Sequence, residues 1–351
     1  MTTRLTAATS SRRSVLQSAR RLFARGPASR ARALAIAIVL SVAVAFVALY
    51  PPRPSAILAA LSGVSWTWLS IALLVNVASI VFRAEAWRLL MAGSVQGAGP
   101  GRLASLSGYS VGLLGNTLLP ARAGEAARIV VATRHLPPAP GRSSAVAGSV
   151  LAQRFLDVVI FAVLVVVVLA SGHAPAWVLT GTLAVAGAGL GVVAVAAVVG
   201  RRAASSGRRG RGGPLRWLLA ATREGLAVLR DRRLVARAAC LQACGWIAQL
   251  MVVDLTLRAF SAPVPLVGSA LVLVLLNGIL AFPLWPGGIG AYQAVVALAL
   301  VPYGVDYATG LSLGLGLQAV ESLVGIGFGL AFLAHEGLSL ATLRRGAGVP
   351  G

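Results

Sequence analysis

Apolar residues occupy long stretches of this chain, and most charged residues stand between the stretches rather than within them. Six stretches run for about 18 residues or longer with little charge, which is enough for a helix to cross the hydrocarbon core of a bilayer. They cover residues 33–50, 64–82, 145–170, 177–199, 238–257 and 308–334. The pattern predicts an all-α polytopic membrane helix bundle with about six full spans.

Two further apolar segments are interrupted. The first, 103–134, is broken at Pro120, and the second, 265–301, is broken at "PLWPGGIG". Non-helical backbone inside a membrane is tolerated where protein or water satisfies its polar groups, and paired interrupted segments mark the site in many transporters. We therefore predict two broken or re-entrant helical hairpins in inverted arrangement, although 265–301 could also cross the membrane fully.

Composition supports a membrane protein. The 351 residues are 58% hydrophobic and 11% charged, with a mean hydropathy of +0.85, whereas about a quarter of the residues in a soluble domain are charged. The formal net charge is +22, and all 31 basic residues are arginine. Because the arginines cluster beside apolar spans, they indicate topology signals and attraction to anionic lipid headgroups rather than nucleic acid.

The distribution of arginine predicts the topology and the domains. Residues 1–32 form a basic, disordered cytoplasmic arm, residues 33–334 form the transmembrane domain with a basic cytoplasmic loop at 200–237, and residues 335–351 form a short basic tail. If 103–134 enters the membrane and returns, every basic cluster lies on one side. Both termini are then cytoplasmic.

Charged residues are expensive inside a membrane, so those within or beside the apolar runs are candidate functional groups. In "PARAGEAAR", Arg122, Glu125 and Arg128 are spaced by three and share one helical face. The planar guanidinium of arginine suits phosphate oxygens. The alternative is a salt-bridge ladder that only fixes the orientation of the helix.

Two more candidates lie within long spans. Arg154 and Asp157 stand three apart, either as a buried structural pair or as part of a headgroup or ion path. Glu321 lies near the middle of the last span without a partner nearby in the sequence, and an arginine on another helix, such as Arg154, could pair with it.

The second broken segment carries Pro286, Gly287, Gly288 and Gly290. No P-loop lysine follows these glycines, so they predict a break in a membrane helix rather than a nucleotide-binding loop. Three distant histidines and two cysteines make no metal constellation. We predict no cofactor, no metal and no catalytic residue.

Three segments carry a resemblance to one family. "GNTLLPARAGEAARI" (115–129), "VLAQRFLDVV" (150–159) and "FPLWPGGIGAYQAVVALALVPYGV" (282–305) look like the signature regions of the lysylphosphatidylglycerol synthase transmembrane domain family, also called flippase-like integral membrane proteins. The likeness covers about residues 35–334 and is most specific in "PxRxGExxR" and in the proline–glycine break.

The resemblance implies a multi-pass protein of a bacterial or archaeal cytoplasmic membrane that moves a phospholipid between leaflets. By resemblance, Arg122, Gly124, Glu125, Arg128, Arg154 and Asp157 carry over as site positions. The chain departs from the family pattern at two positions, because Gln153 and Gln293 stand where many members have glutamate. Both departures weaken the implication that the substrate is the lysyl lipid specifically. About 17 residues follow Ala334, too few for the soluble aminoacyl-transfer domain, so we expect no synthase activity.

The leading hypothesis is a flippase-like protein that translocates or binds an anionic or phosphate-linked lipid. A membrane transferase for lipid-linked substrates, with Glu125, Asp157 or Glu321 as base, and a non-transporting partner of envelope lipid or glycan synthesis remain alternatives, and homo-oligomerisation stays open. The predicted substrate-binding residues are Arg122, Gly124, Glu125, Arg128, Arg154, Asp157, Glu321, Pro286, Gly287, Gly288, Gly290 and Gln293.

Overall fold

The computed structural model describes residues 63–95, 99–118, 124–139, 141–172, 228, 230–262, 264–280 and 290–338. Within these residues the chain is all-helical, with eight α-helices and no strand. The helices are α1 (Trp66–Ser94), α2 (Arg102–Leu118), α3 (Gly124–Arg134), α4 (Arg142–Ala170), α5 (Arg232–Ala259), α6 (Leu266–Leu280), α7 (Ala291–Leu300) and α8 (Tyr307–His335).

Four of these helices are long and apolar enough to cross a membrane. Helices α1, α4, α5 and α8 have 28 or 29 residues each. At 1.5 Å per residue they are about 42 Å long, against a hydrocarbon core of about 30 Å. They confirm four of the six predicted spans and a multi-pass membrane protein. The other two predicted spans, 33–50 and 177–199, lie outside the described residues.

Helix α1 extends well beyond its apolar run. The sequence predicts an end near residue 82, but the helix continues to Ser94. Two charged residues of this extension pair with each other, since Arg88 donates two hydrogen bonds to Glu85 at 2.7 and 2.8 Å. On the opposite side Trp87 is fully buried. The extension is therefore amphipathic and packs as part of the bundle.

Helices α1 and α5 pack antiparallel, and their ends define the two ends of the bundle. The amide of Ser65, before α1, donates to the carbonyl of Ala259 at the end of α5 at 2.8 Å. At the opposite end Leu234, near the start of α5, packs against Gly93. We name these the Ser65 end and the Ser94 end.

Helices α2 and α3 form a short hairpin that enters from the Ser94 end. Arg102 at the start of α2 lies 3.5 Å from Glu85 of α1. At the end of α3, His135 hydrogen-bonds to Glu336, which follows α8, at 2.8 Å. Arg142, the first residue of α4, donates to the carbonyl of Leu136. The two helices correspond to the predicted broken segment 103–134, and residues 119–123 between them lie outside the described residues.

Helices α6 and α7 form a second short pair that enters from the Ser65 end. They have 15 and 10 residues and pack on each other. Tyr303, just after α7, lies against Gly268 in the first turn of α6. The break at 281–289 lies outside the described residues. The two pairs thus enter the bundle from opposite ends.

Helices α2 and α3 approach each other through glycine. A β-carbon placed on Gly115 would lie 2.6 Å from the α-carbon of Gly124, and one placed on Gly124 would overlap the carbonyl oxygen of Gly112. Contacts this short leave no room for a side chain. This packing sets the position of the next residue of α3, Glu125.

The outward face of α4 is apolar. Leu151, Phe155, Val158 and Val166 are exposed along it. A continuous apolar surface on a long helix is typical of contact with lipid acyl chains rather than with water.

Candidate functional site

Four of the charged residues singled out in the sequence meet between α3 and α4. Arg154 donates to Glu125 through Nη2 and to Asp157 through Nη1, the latter at 3.1 Å. Glu125 also lies 3.8 Å from Nη1 of Arg128. We call Glu125, Arg128, Arg154 and Asp157 the arginine cluster. The predicted pairing of Arg154 with Asp157 is confirmed, and Arg122 lies outside the described residues.

The arginine cluster lies at about mid-depth of the bundle. Arg154 is 12 residues beyond the start of α4, or about 18 Å along a helix axis. Helix α3 has 11 residues and carries Glu125 in its first turn, so that carboxylate lies about 14 Å from the outer end of α3. The two depths agree, which places the inner end of the α2–α3 hairpin beside the middle of α4.

Arg128 is buried between aromatic rings. Its guanidinium carbon lies 3.7 Å from the ring centroid of Trp87 and 4.7 Å from that of Tyr109, and Nη2 donates to the side-chain oxygen of Gln153. A planar guanidinium can stack on an aromatic face and keep its hydrogen bond, which an ammonium group cannot do in the same way. Arg128 therefore holds α3 against α1, α2 and α4.

A network of amides and an indole extends the cluster to α5. Asp157 accepts from Nε2 of Gln242 at 2.5 Å and from Nε1 of Trp246 at 2.9 Å. Gln153 donates to Oε1 of Gln242 and to the carbonyl of Arg83, each at 2.9 Å. The carboxylate of Asp157 is thus solvated by protein donors in addition to Arg154, which offsets the cost of its burial.

The members of the cluster differ in exposure. The side chain of Arg154 is 46% exposed, that of Glu125 24% and that of Arg128 only 4%. The neighbours of Arg154 on the surface of α4 are the exposed apolar residues Leu151, Phe155 and Val158. The guanidinium of Arg154 is consequently the cationic group of the cluster that a ligand can reach from the apolar outer surface.

Glu321, the candidate near the middle of the last span, lies in a second group of side chains between α5, α7 and α8. Glu321 accepts from Nε2 of Gln249 at 2.5 Å and from the hydroxyl of Tyr292 at 2.8 Å. We call Glu321, Gln249 and Tyr292 the Glu321 cluster. Pairing with Arg154, which the sequence suggested, does not occur because that guanidinium is bonded to Glu125 and Asp157.

The break before α7 is described only at its last residue. Gly290 has a φ of 89°, a conformation that favours glycine, and its amide donates to Gln293 at 2.6 Å. Gln293 is buried and donates to Gln318 of α8. These two residues hold α7 on α8 and do not reach the arginine cluster. Pro286, Gly287 and Gly288 lie outside the described residues.

Contacts at the Ser94 end secure the hairpin to α8. Glu336 accepts from the hydroxyl of Ser107 on α2 at 2.6 Å, in addition to its bond with His135. Burial acts to raise the pKa of Glu336, but the hydrogen bonds from Ser107 and His135 outweigh burial, so its pKa lies below the usual value. The carboxylate therefore stays ionised and keeps both bonds at neutral pH.

Sequence reasoning missed the polar side chains of α5. Gln242, Trp246 and Gln249 follow one another at intervals of four and three residues within an otherwise apolar span, so they share a helix face. This spacing alone could have identified the three residues as a shared polar face of the span. Arg83 was assigned only to a topology signal, although its stem lies on Gly245 and its guanidinium stands 5.1 Å from the ring centroid of Trp246.

A family model described as the lysylphosphatidylglycerol synthase TM region matches residues 33–329. The match includes all eight described helices except the last turns of α8. No curated protein matches the chain.

Proposed function

We propose, from the premise that the chain belongs to the lysylphosphatidylglycerol synthase TM region family, that this protein moves an anionic or phosphate-linked lipid between leaflets. One observation carries the proposal. Arg154 lies at mid-depth of a membrane-spanning helix and opens toward its apolar outer face, held by two carboxylates. A charged residue in that place is costly and marks a pathway for a polar ligand.

The cluster can exchange one of its anions for a phosphate. Asp157 retains two donors on α5, Gln242 and Trp246, when Arg154 turns away from it. Arg154 is then available to make a two-pronged contact with phosphate oxygens while Glu125 still orients it. The lipid headgroup would thereby contact the guanidinium of Arg154 at the depth where desolvation of the headgroup costs most. The acyl chains of the lipid would remain along the apolar face of α4.

The two hairpins supply the access route in this proposal. Each is too short to cross the membrane as two full spans, and they enter from opposite ends, so we propose that they are re-entrant and inverted. The inner ends of the helices then lie at mid-depth, reached from the two sides of the membrane, as in transporters with inverted repeats. The sequence predicts two further spans, 33–50 and 177–199, and with them the proposed architecture has six full spans.

The distribution of arginine supports a cytoplasmic placement of the Ser94 end. Among the described residues this end carries Arg88, Arg102, Arg134, Arg142, Arg230, Arg232, Arg233 and Arg237, whereas the Ser65 end carries Arg258 alone. Excess arginine marks the cytoplasmic side of a membrane protein. We propose a bacterial or archaeal cytoplasmic membrane with both termini inside.

Cysteine labelling tests this orientation. Cys240 and Cys244 are free thiols and are first replaced with alanine. Ala308→Cys, exposed near the start of α8, should react with an impermeant maleimide added to intact cells, because it lies at the Ser65 end. Ser143→Cys, exposed in the first turn of α4, should react only after the membrane is opened. The opposite pattern would reverse the proposed topology.

Lipid exchange tests the transport function. In proteoliposomes the wild-type protein should move a fluorescent anionic phospholipid between leaflets, and Arg154→Lys should slow this movement by about tenfold. The lysine keeps the charge but loses the two-pronged contact, and a tenfold loss corresponds to about 1.4 kcal/mol.

Arg258→Lys is the matched control, since Arg258 is 45% exposed and bonds to Asp254 at 2.7 Å near the Ser65 end of α5, away from the cluster. It should exchange lipid at the wild-type rate. If the wild-type protein retains anionic lipid through purification but moves none, the non-transporting alternative replaces the flippase proposal.

A further inference from the structure

Glu321 is a carboxyl group at the centre of a membrane span. It stands 14 residues from Tyr307 and 14 from His335, the two ends of α8, which is about 21 Å from each. No salt bridge reaches it among the residues that the structure describes. Its hydrogen-bond partners are the neutral groups of Gln249 and Tyr292.

These two partners can satisfy either protonation state of the carboxyl group. A phenol and a primary amide can each donate or accept a hydrogen bond. The amide oxygen of Gln249 accepts from the hydroxyl of Ser79 at 3.3 Å, and that hydroxyl also donates to the carbonyl of Gly245 at 2.9 Å. Rotating the Gln249 amide by half a turn would present its oxygen to a protonated Glu321 and its NH₂ to the Ser79 oxygen.

Asp157, in the same bundle, has different partners. Besides the amide of Gln242, each of its oxygens has a partner that can only donate, namely the indole of Trp246 on Oδ1 and the guanidinium of Arg154 on Oδ2. If Asp157 were protonated, its own O–H donor would face one of these donor-only groups. The site therefore favours the ionised carboxylate. The carboxyl groups of Asp157 and Glu321 therefore differ in what surrounds them, and of these two only Glu321 has reversible partners on both oxygens.

We propose that Glu321 is a proton-binding site and that loading it promotes binding of the anionic lipid at the arginine cluster. The coupling rests on the proposed lipid movement, whereas the proton site stands on its own geometry. One proton is taken from water when the carboxylate is neutralised and is returned to water when it ionises again. Membrane-embedded carboxyl groups serve in this way in pumps and transporters.

Helix α5 provides the physical link between the two sites. Gln242, Trp246 and Gln249 lie on one of its faces, the first two bonded to Asp157 and the third to Glu321. A change in the orientation of Gln249 on protonation therefore occurs one turn from the indole that holds Asp157.

Arg83 provides an electrostatic link. Its guanidinium stands over the ring of Trp246 and its charge acts on Glu321. Its buried Nε has no hydrogen-bond partner among the described residues. Neutralising Glu321 leaves that positive charge less compensated in a medium of low dielectric constant. The site as a whole becomes more favourable for an anionic headgroup, so proton and anion should bind cooperatively.

Infrared difference spectroscopy tests the proton site directly. Stepping the purified wild-type protein from mildly alkaline to mildly acidic pH should produce the C=O stretch of a protonated carboxylic acid in an apolar environment. Glu321→Gln should abolish this band. Glu85→Gln is the matched control, because Glu85 is bonded to Arg88 near the Ser94 end of α1, and the band should remain in it.

Tyr292→Phe provides a second variant that retains the carboxyl group. Removing one hydrogen-bond partner should displace the pH midpoint of the band without abolishing it. A band that is missing in the wild-type protein, that survives Glu321→Gln, or that keeps its midpoint in Tyr292→Phe overturns the proton site.

Lipid exchange at a series of pH values, equal on both sides, tests the coupling. As the pH falls through the range in which the infrared band appears, the wild-type rate for the fluorescent anionic phospholipid should rise by about tenfold. This is a typical size for coupling between two sites. Glu321→Gln resembles the neutral state and should show no pH dependence. If both proteins share the same pH dependence, the coupling is overturned. If the wild-type protein moves no lipid, the proposed function fails while the infrared result still decides the proton site.

Discussion

Replacing Arg154 with methionine should reduce the folded protein in the membrane severely, with a destabilisation of roughly 3–5 kcal/mol. Methionine has a similar length and is apolar, so the change removes the charge with little loss of packing volume. Glu125 loses its direct hydrogen bond and Asp157 loses its cationic partner. The main cost is that two carboxylates at mid-depth lose the guanidinium that neutralises them, and salt screens buried charges only weakly.

Arg258→Met is the matched control for depth. Arg258 also pairs with an aspartate on its own helix, and its exposure of 45% is almost the same as the 46% of Arg154. It lies in the last turn of α5 at the Ser65 end, and Asp254 keeps a second donor in the hydroxyl of Ser269 at 3.1 Å, so the loss should be smaller than that of Arg154→Met. Fluorescence size-exclusion chromatography of detergent extracts over a temperature series gives both values. Equal losses in the two variants would contradict the mid-depth placement of the arginine cluster.

A second change should repair part of the damage. In Arg154→Met with Glu125→Gln, one of the two carboxylates that depended on Arg154 is neutral, and the other keeps Gln242 and Trp246 as donors. The double variant should be more stable than Arg154→Met alone. Additive losses would mean that Glu125 does not pair with Arg154 in the membrane-embedded protein.

The sequence predicts the helices well because their determinants are local. A continuous apolar run has a length that can be compared directly with the thickness of a bilayer. The run at 145–170 became α4 at Arg142–Ala170, and that at 308–334 became α8 at Tyr307–His335. The largest difference is in α1, where a charged extension is stabilised by its internal Glu85–Arg88 pair.

Partners within one helix could also be predicted, whereas partners on different helices could not. Arg154 and Asp157 meet because residues three apart face the same side of a helix. Glu125 meets Arg154 across 29 positions of sequence, and Glu321 meets Gln249 across 72. These contacts depend on which helix faces pack together, and no periodicity along the chain specifies that. The fold class was therefore accessible from the sequence, but the division of the candidates into two clusters was not.

Gly124→Ala should disable lipid movement and destabilise the protein by about 1–3 kcal/mol. The added β-carbon would overlap the carbonyl oxygen of Gly112 and lie 2.5 Å from the backbone nitrogen of Asn116. Backbone cannot move aside as a flexible side chain can, so α3 must move away from α2. Both Glu125, the next residue, and Arg128, one turn later, would move with it.

The functional loss should exceed what the loss of stability explains, because the displacement acts on both ends of the arginine cluster. Glu125 would move from Arg154, and the guanidinium of Arg128 would leave the ring of Trp87 against which it is now stacked. Small misplacements of positioned groups cost far more in function than in stability. The lipid-exchange assay, normalised to folded protein, measures this difference.

Gly101→Ala is the matched control, since Gly101 immediately precedes α2 and a β-carbon there meets no atom within 4 Å. It adds the same methyl group to the same hairpin and should change neither stability nor exchange. If Gly124→Ala also changes neither stability nor exchange, helices α2 and α3 do not approach as closely as the structure shows. Packing between these helices would then not fix the position of Glu125 beside Arg154. If only Gly124→Ala loses lipid exchange, and does so at a temperature where it is still folded, the close approach of α2 and α3 positions the Glu125 carboxylate that orients Arg154.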